Sequence, residues 1–519
     1  MRFPRRRREL TEPDPVVPET GVADPIAPAL AGPETLVAPA PDAADRYRRP
    51  VTGIVVLVAA LAAGLIGDHV AAASHPGQAL PPGPAVPALA PAGSLSATWF
   101  CPAMQAAADS PAKGRVIVAN PGSTELHATA TFAKSTGEQV VTTRVVPPYS
   151  RTTWKLETEA PSPFTAATVS IDSGVGAVEQ EVQGPLGESI APCSSSSSDH
   201  WYFASGRTDQ DATMLLSMYN PFPGDAIADL RFATDQGPTS PDAYQGIVIP
   251  GHGVAVVNVG EKVRIRTAIA TSVTVRSGRL VVDKLLLQAG ASPAPRGLSL
   301  VLGATAPGLT WYYPDGISAK GRTEHFEIFN PGPAEAQVDL AAALDRGSAD
   351  PFSVSVPAGD RVSIQIDKEP RIPPNVGQSW SLTSTNGVPV VAERVMEATA
   401  DSARVGVADT LGAPRGATRW LFAAGSATPP ADEYLIVYNP TAHPVDVTVT
   451  ASGLGEATAV GRPFTLAPGM RLALHINDSV DKGIVVLDVG ATGPVVAERA
   501  QSTAKGPGLS STIGIAGSG

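Results

Sequence analysis

The stretch EYLIVYNPTAHPVDVTVT, residues 433–450, decides how this chain is read. An alternating apolar/polar run ends at Asn439-Pro440, a short polar turn follows, and a second alternating run begins. Alternation with period two marks a half-buried β-strand. Proline fixes its own φ, lacks an N–H and pushes the preceding residue to extended geometry, so Asn-Pro ends the first strand. The Asn side chain is then placed to bond backbone groups in the turn. The same arrangement occurs at GRVIVANPGSTELHATATF (114–132), MLLSMYNPFPGDAIADLRF (214–232) and EHFEIFNPGPAEAQVDLAA (324–342).

Working outward, the rest of a unit recurs around each Asn-Pro pair. An aromatic cluster opens it: Trp99-Phe100, Trp201-Tyr202-Phe203, Trp311-Tyr312-Tyr313 and Trp420-Leu421-Phe422. Past the Asn-Pro pair, a Pro-containing turn precedes an alternating run: VVPPYSRTTWKL (145–156), VIPGHGVAVVNV (248–259), SVPAGDRVSIQI (355–366) and TLAPGMRLALHI (465–476). A hairpin-like pair closes it: TVSIDSGVGAVEQEV (168–182), SVTVRSGRLVVDKLL (272–286), SLTSTNGVPVVAERV (381–395) and VLDVGATGPVVAER (486–499). Such self-similarity is the mark of a repeat architecture. Six or seven short strands in roughly 85–100 residues match an immunoglobulin-like β-sandwich. A four-bladed propeller is the alternative, but each unit is about twice the length of a blade. The expected fold is all-β: four tandem immunoglobulin-like β-sandwich repeats at 97–193, 199–292, 309–400 and 418–505. Short linkers are expected at 194–199, 291–297 and 401–418, with a flexible C-terminal tail at 506–519.

Ahead of the repeats the composition changes. Residues 1–50 hold eight Arg, no Lys and eight acids among many Pro and Ala, a mixture unable to bury enough apolar surface to fold. A disordered cytoplasmic tail is expected there. Residues 51–67 carry no charge, and 51–73 is read as one transmembrane helix. Arg46, Arg48 and Arg49 before it and Asp68 within its end place the N-terminus in the cytoplasm by the positive-inside rule. Cleavage after Ala73 is the alternative reading; either way the bulk of the chain lies outside the cytoplasm, as a cell-membrane protein facing the envelope. Residues 74–96 are Pro- and Ala-rich and read as a stiffened linker. The formal net charge of -11 falls wholly on residues 51–519, which disfavours nucleic acid as a partner. Two cysteines in an exported chain, Cys101 and Cys193, read as one disulfide; two buried thiols are the alternative.

The W-[YF]-F-like opening, the N-P strand end and the P-V-V-A-E-R closing strand resemble tandem repeats of secreted and cell-surface bacterial proteins. With the Arg-rich tail and apolar segment in front, the whole resembles an uncharacterised actinobacterial family of membrane-anchored secreted proteins, a domain of unknown function. The resemblance covers roughly residues 46–505. It implies fold and location and carries over no catalytic residue. Units one and two depart from the closing pattern: Glu179-Gln180 and Asp283-Lys284 stand where the later units have Glu393-Arg394 and Glu498-Arg499.

Candidate chemistry is sparse. The four repeated Trp, with Trp154 and Trp380, read as core plugs, with a sugar-binding platform as the alternative. His325 and Glu327 would share one strand face while Phe326 and Ile328 point inward, a solvated face rather than a metal site. Glu179 and Glu181 would face one way, but two acids without a cleft are not glycosidase chemistry. No HExxH, no GxSxG and no SxxK followed by KTG is present. The expectation is therefore no catalytic, cofactor-binding or metal site. The expected role is a non-enzymatic, membrane-anchored scaffold or adhesion-type protein touching envelope proteins or cell-wall glycan. An enzyme or accessory subunit acting on envelope polysaccharide, or a transmembrane sensor, are the alternatives.

Overall fold

The computed structural model describes residues 86–517, apart from 92, 173–175, 210, 291–294, 400–401, 403, 454, 481–482 and 504–505. The expected cytoplasmic tail and the expected membrane helix at 51–73 lie outside the described residues. Among the described residues no helix is long and apolar enough to cross a membrane.

In unit 1 the alternating runs become β1 (Ala97–Gln105), β2 (Lys113–Asn120), β3 (Leu126–Lys134), β4 (Gln139–Val146), β5 (Ser150–Lys155), β6 (Phe164–Ile171), β7 (Ala177–Gly184) and β8 (Gly187–Pro192). They form two layers, ordered β4-β3-β6-β1 and β5-β2-β7-β8, joined where Gln105 of β1 pairs with Lys113 of β2. Trp99, Phe132, Trp154 and Val169 pack between the layers. Units 2 to 4 repeat the plan, as in the unit 2 layer made of Val254–Asn258, Ala212–Tyr219, Val281–Ala289 and Arg296–Leu302. A single helical turn after the fifth strand closes one end of each core with the buried Leu156, Val259, Ile366 or Ile476. All six Trp are buried. Each unit is thus a β-sandwich, but its strand order differs from the immunoglobulin arrangement of ABED on CFG. After the sixth strand the chain crosses to the other layer, and the Trp strand takes the vacant edge.

The reason Asn-Pro recurs is visible in the hydrogen bonds. Asn439 is buried at the strand end, and its Nδ2 donates to His443 O (2.8 Å), Leu466 O (3.0 Å) and Ala467 O (3.2 Å). Its Oδ1 accepts from Thr441 N at 2.9 Å. Asn120, Asn220 and Asn330 do the same in their units, each donating at 2.7 Å to the carbonyl four residues on. One amide therefore ties the strand end to its own turn and to the Pro-containing loop beside it, and proline keeps the turn's backbone from competing.

Several boundaries differ from expectation. The serine run at 194–199 is not a linker: Ser194 exchanges two backbone hydrogen bonds with Phe100, both 2.8 Å, and Ser198 two with Leu280, 2.9 and 3.0 Å. Residues beyond the expected ends of units 2 and 3 form the strands Arg296–Leu302 and Gly406–Leu411, which pair with the closing strands. The expected C-terminal tail contains two strands, Ser510–Ile513 and Ile515–Gly517, because Leu509, Ile513 and Ile515 bury apolar surface. Part of the expected linker at 74–96 also docks, with Leu89 N donating to Ala516 O at 2.7 Å and Ala88 N to Ser195 Oγ at 3.0 Å. Cys101 and Cys193 are bonded to each other, as the exported-chain reading expects.

Removing the Asn439 amide orphans several buried carbonyls. Asn439→Ala is expected to cost about 2–3 kcal/mol, and Asn439→Asp more, since a carboxylate would face three carbonyl oxygens. Chemical denaturation of both variants checks this; an Asp variant as stable as the native protein would refute the assigned donor role.

Candidate functional site

The last strand of each unit, β8, Arg296–Leu302, Gly406–Leu411 and Ser510–Ile513, packs against that of the next, and the fourth packs against the first. The four units therefore close a ring. The closing strands beside these, β7, Val281–Ala289, Val391–Ala398 and Val486–Thr503, carry an acid followed by a donor: Glu179-Gln180, Asp283-Lys284, Glu393-Arg394 and Glu498-Arg499. Neighbours on a strand face opposite ways. Each acid consequently faces the preceding unit, while each donor reaches the following one.

The result is a circuit of buried pairs. Gln180 Nε2 donates to Asp283 Oδ2 at 3.1 Å, Lys284 Nζ to Glu393 Oε2 at 2.6 Å, and Arg394 forks onto both oxygens of Glu498. Arg499 closes the circuit on Glu179 Oε2 at 3.4 Å. The acids also receive backbone N–H groups from the loop after the preceding unit's Trp strand: Ala424 N to Glu179 (2.6 Å), Ala204 N to Glu393 (2.9 Å) and Asp315 N to Glu498 (2.8 Å). The cations lie over the aromatic ring two residues after their own unit's Trp. Lys284 Nζ is 5.6 Å from the Phe203 centroid, Arg394 Cζ 5.7 Å from Tyr313 and Arg499 Cζ 5.5 Å from Phe422. Those rings sit on Gly303, Gly412 and Gly514, where an added Cβ would approach within 2.7, 2.6 and 2.7 Å. In unit 1 Cys101 replaces the ring and Cys193 the glycine, so the disulfide spans the same gap.

Burial raises Asp283, Glu393 and Glu498 of the circuit. Glu393 is pushed to about 7 by burial, with Asp409 adding to it and Lys284 opposing. Glu324 and Glu433 are likewise pushed to about 7 by burial. Burial pulls the Lys284 ammonium down, but Asp409 and Glu393 outweigh it and hold it above its ordinary value.

Beside this circuit, between units 2 and 3, lies a cleft of about 630 Å³, lined among others by Arg207, Asp235, His325, Glu327, Arg361 and Glu397. A second, of about 460 Å³, lies between units 4 and 1. His325 and Glu327 do share a face, with Phe326 and Ile328 buried behind them. That face is a cleft wall and not open surface: burial pushes His325 down to about 4, leaving a neutral imidazole 3.5 Å from Glu327. Glu327 is engaged by Arg361 and by Ser363 Oγ at 2.7 Å, and among the described residues no group of His, Cys, Asp and Glu could hold a metal. Glu181, two residues from Glu179 on the same strand, pairs with Arg115 at 2.8 Å. No Trp, Tyr or Phe lines the larger cleft. The circuit escaped the sequence reading, although setting the four closing strands in register shows an acid followed by Gln, Lys, Arg and Arg.

A family model described as a family of unknown function (DUF5719) matches residues 184–404. No curated protein matches. Among solved structures, the tetra-tandem repeat in the extending region of a large adhesion protein is 11% identical, covering 80% of this chain and 98% of that one, with a TM-score of 0.10. The native conformation of E. coli alpha-2-macroglobulin is 12% identical over 83% of this chain and 30% of that one, also at 0.10.

A carboxyl whose folded pKa exceeds its unfolded value stabilises the fold fully below the ordinary carboxylate range, and that contribution is lost as pH rises through the folded value. For Glu324, Glu393 and Glu433 the window runs from about 4.5 to about 7. The denaturation midpoint is expected to fall between pH 5 and pH 8. Glu433→Gln should flatten the fall by on the order of 1–3 kcal/mol; an unchanged slope would exclude Glu433 as a contributor.

Proposed function

We propose that the protein is a non-enzymatic, membrane-anchored scaffold or adhesion-type component of the cell envelope, facing outward. The observation that carries this reading is the closed circuit of buried inter-unit pairs, which spends the chain's inward-facing charges on holding four sandwiches together. What is left to vary is the exposed turns. The Asn-Pro turns and the loops beside them present Glu125 and Gly122 in unit 1, Phe222 and Val248 in unit 2, Glu335 in unit 3 and His443 and Met470 in unit 4. A rigid body with four differently dressed turns suits contacts with envelope proteins or cell-wall glycan. The disulfide fits an oxidising compartment, and the apolar run at 51–73 supplies the anchor.

A second reading follows from the cleft between units 2 and 3. Its five carboxylates, Asp235, Glu327, Asp367, Glu397 and Asp409, suit a small hydrophilic ligand, as an accessory subunit on envelope polysaccharide would require. Without an aromatic platform in the lining, the scaffold reading is the stronger.

Protease added to intact cells is expected to digest residues 97–505 and spare 1–50, and purified ectodomain should co-sediment with isolated cell-wall sacculi or with membrane-stripped envelope protein. Protection of the repeats in intact cells would overturn the location. Co-sedimentation abolished by Arg361→Ala, but not by changes at Phe222 and Met470, would favour the cleft reading.

A further inference from the structure

We propose that Lys284 and Asp409 form an intramolecular amide crosslink between the second and third units, with Glu393 as the proton carrier. Lys284 Nζ lies 2.8 Å from Asp409 Oδ2 and 2.6 Å from Glu393 Oε2. The three side chains are 0%, 1% and 0% exposed respectively. Asp409 Oδ1 has no hydrogen-bond partner, while Ser205 Oγ bonds both carboxylates and Ala204 N donates to Glu393, fixing the group.

Comparison among the four junctions singles this one out. The donor is Gln180 in unit 1, Arg394 in unit 3 and Arg499 in unit 4; a guanidinium stays protonated and an amide nitrogen is not nucleophilic. Only Lys284 brings a primary amine, whose pKa responds to its surroundings. The second acid is equally particular. In register along the last strands, Asp409 faces Val395, and the matching positions are Ile190, Leu300 and Ser511. The one lysine thus coincides with the one extra carboxyl, and a single cation in a dry site with two carboxylates leaves one acid protonated to avoid an uncompensated charge.

That protonation state is the reactive one. Lys284 ammonium passes a proton to the Asp409 carboxylate it bonds; the freed amine attacks Cγ of Asp409, forming the C–N bond, with the protonated Glu393 beside it as the relay for the protons that move. The Asp409 C–O bond breaks, and its hydroxyl leaves with the second amine proton as water. Glu393 ends protonated, so ammonium, carboxylate and carboxylic acid become amide, water and carboxylic acid, with no oxidant or activating reagent. The product holds no charge in a water-poor site, which removes the desolvation penalty of the ion pair. Asp409 lines the adjoining cleft, giving the water an exit.

Intact-mass measurement on the reduced, denatured native protein is expected to fall short of the sequence mass by one water. Trypsin should yield a branched peptide joining residues 280–296 to 405–415, with no cleavage after Lys284. Glu393→Gln and Lys284→Arg should each restore the full mass in a soluble protein that retains the Cys101–Cys193 bond. Full sequence mass in the folded native protein, with the 280–284 peptide recovered free, overturns the proposal; so does a water-loss that maps elsewhere or persists in Lys284→Arg.

Discussion

Everything in the repeat body depends on one constraint: a buried charge must meet its partner. On each closing strand the acid and the donor are neighbours, so they point to opposite faces and cannot satisfy one another. Glu393 needs Lys284 from the unit before, and Arg394 needs Glu498 from the unit after. Three units in a row would leave an acid orphaned at one end and a donor at the other, each a cost of about 3–5 kcal/mol where the whole stability of a domain is about 5–15 kcal/mol. Four units closed head to tail leave none, because Arg499 returns to Glu179. Closure of the ring, whatever the number of units, is what the pairing requires.

The junctions are not equal, and their differences compensate. Between units 1 and 2 the pair is Gln180 and Asp283, where the amide brings no charge to offset the carboxylate, and burial holds Asp283 well above the ordinary carboxylate range. Apolar packing takes over there: Ala103, Ala133, Ala166 and Tyr219 form their own cluster, and the Tyr219 hydroxyl bonds Thr168 at 2.7 Å. With no cation to lie on an aromatic ring, unit 1 also has no need of the ring, and its place is free for Cys101. A covalent bridge to Cys193 then spans what Phe203, Tyr313 and Phe422 span by packing on glycine.

The strand pattern and the Asn-Pro strand end were legible because each is a local rule repeated four times, and the buried Trp because it occupies one place in every copy. The closed ring was not. Lys284, Arg394 and Arg499 look like surface residues, since a charged side chain reads as solvated unless its partner is known, and each partner lies roughly a hundred residues away or more. The last strands of units 2, 3 and 4 fell outside the expected sandwiches for a related reason. Segments such as GLSLVL and GVADTL, at 297–302 and 406–411, are buried on both sides, so they show no period-two alternation. The disulfide was legible from compartment and count, but its equivalence to an aromatic ring on glycine needed the units in register.

The stretch EHFEIF, at 324–329, shows how a copy that departs from the others opens a site. Arg151, Val254, Arg361 and Arg471 occupy one position in the four units, the residue paired with the end of the Asn-Pro strand. Arg471 crosses to unit 3 and bonds Asp345 at 2.8 Å, filling the junction; Arg151 crosses to unit 4 and donates to Ala423 O and Val485 O at 3.3 and 3.4 Å. Val254 packs against the apolar cluster between units 1 and 2. Arg361 alone is captured within its own unit, by Glu327, where the other units have Ile117, Ser217 and Ile436. Asp235, which matches Asp345, is left to Thr267 at 2.8 Å and Arg266 at 3.9 Å. One added carboxylate thereby withholds from the junction between units 2 and 3 the arginine that crosses between units 3 and 4 and between units 4 and 1, and leaves it in the cleft wall.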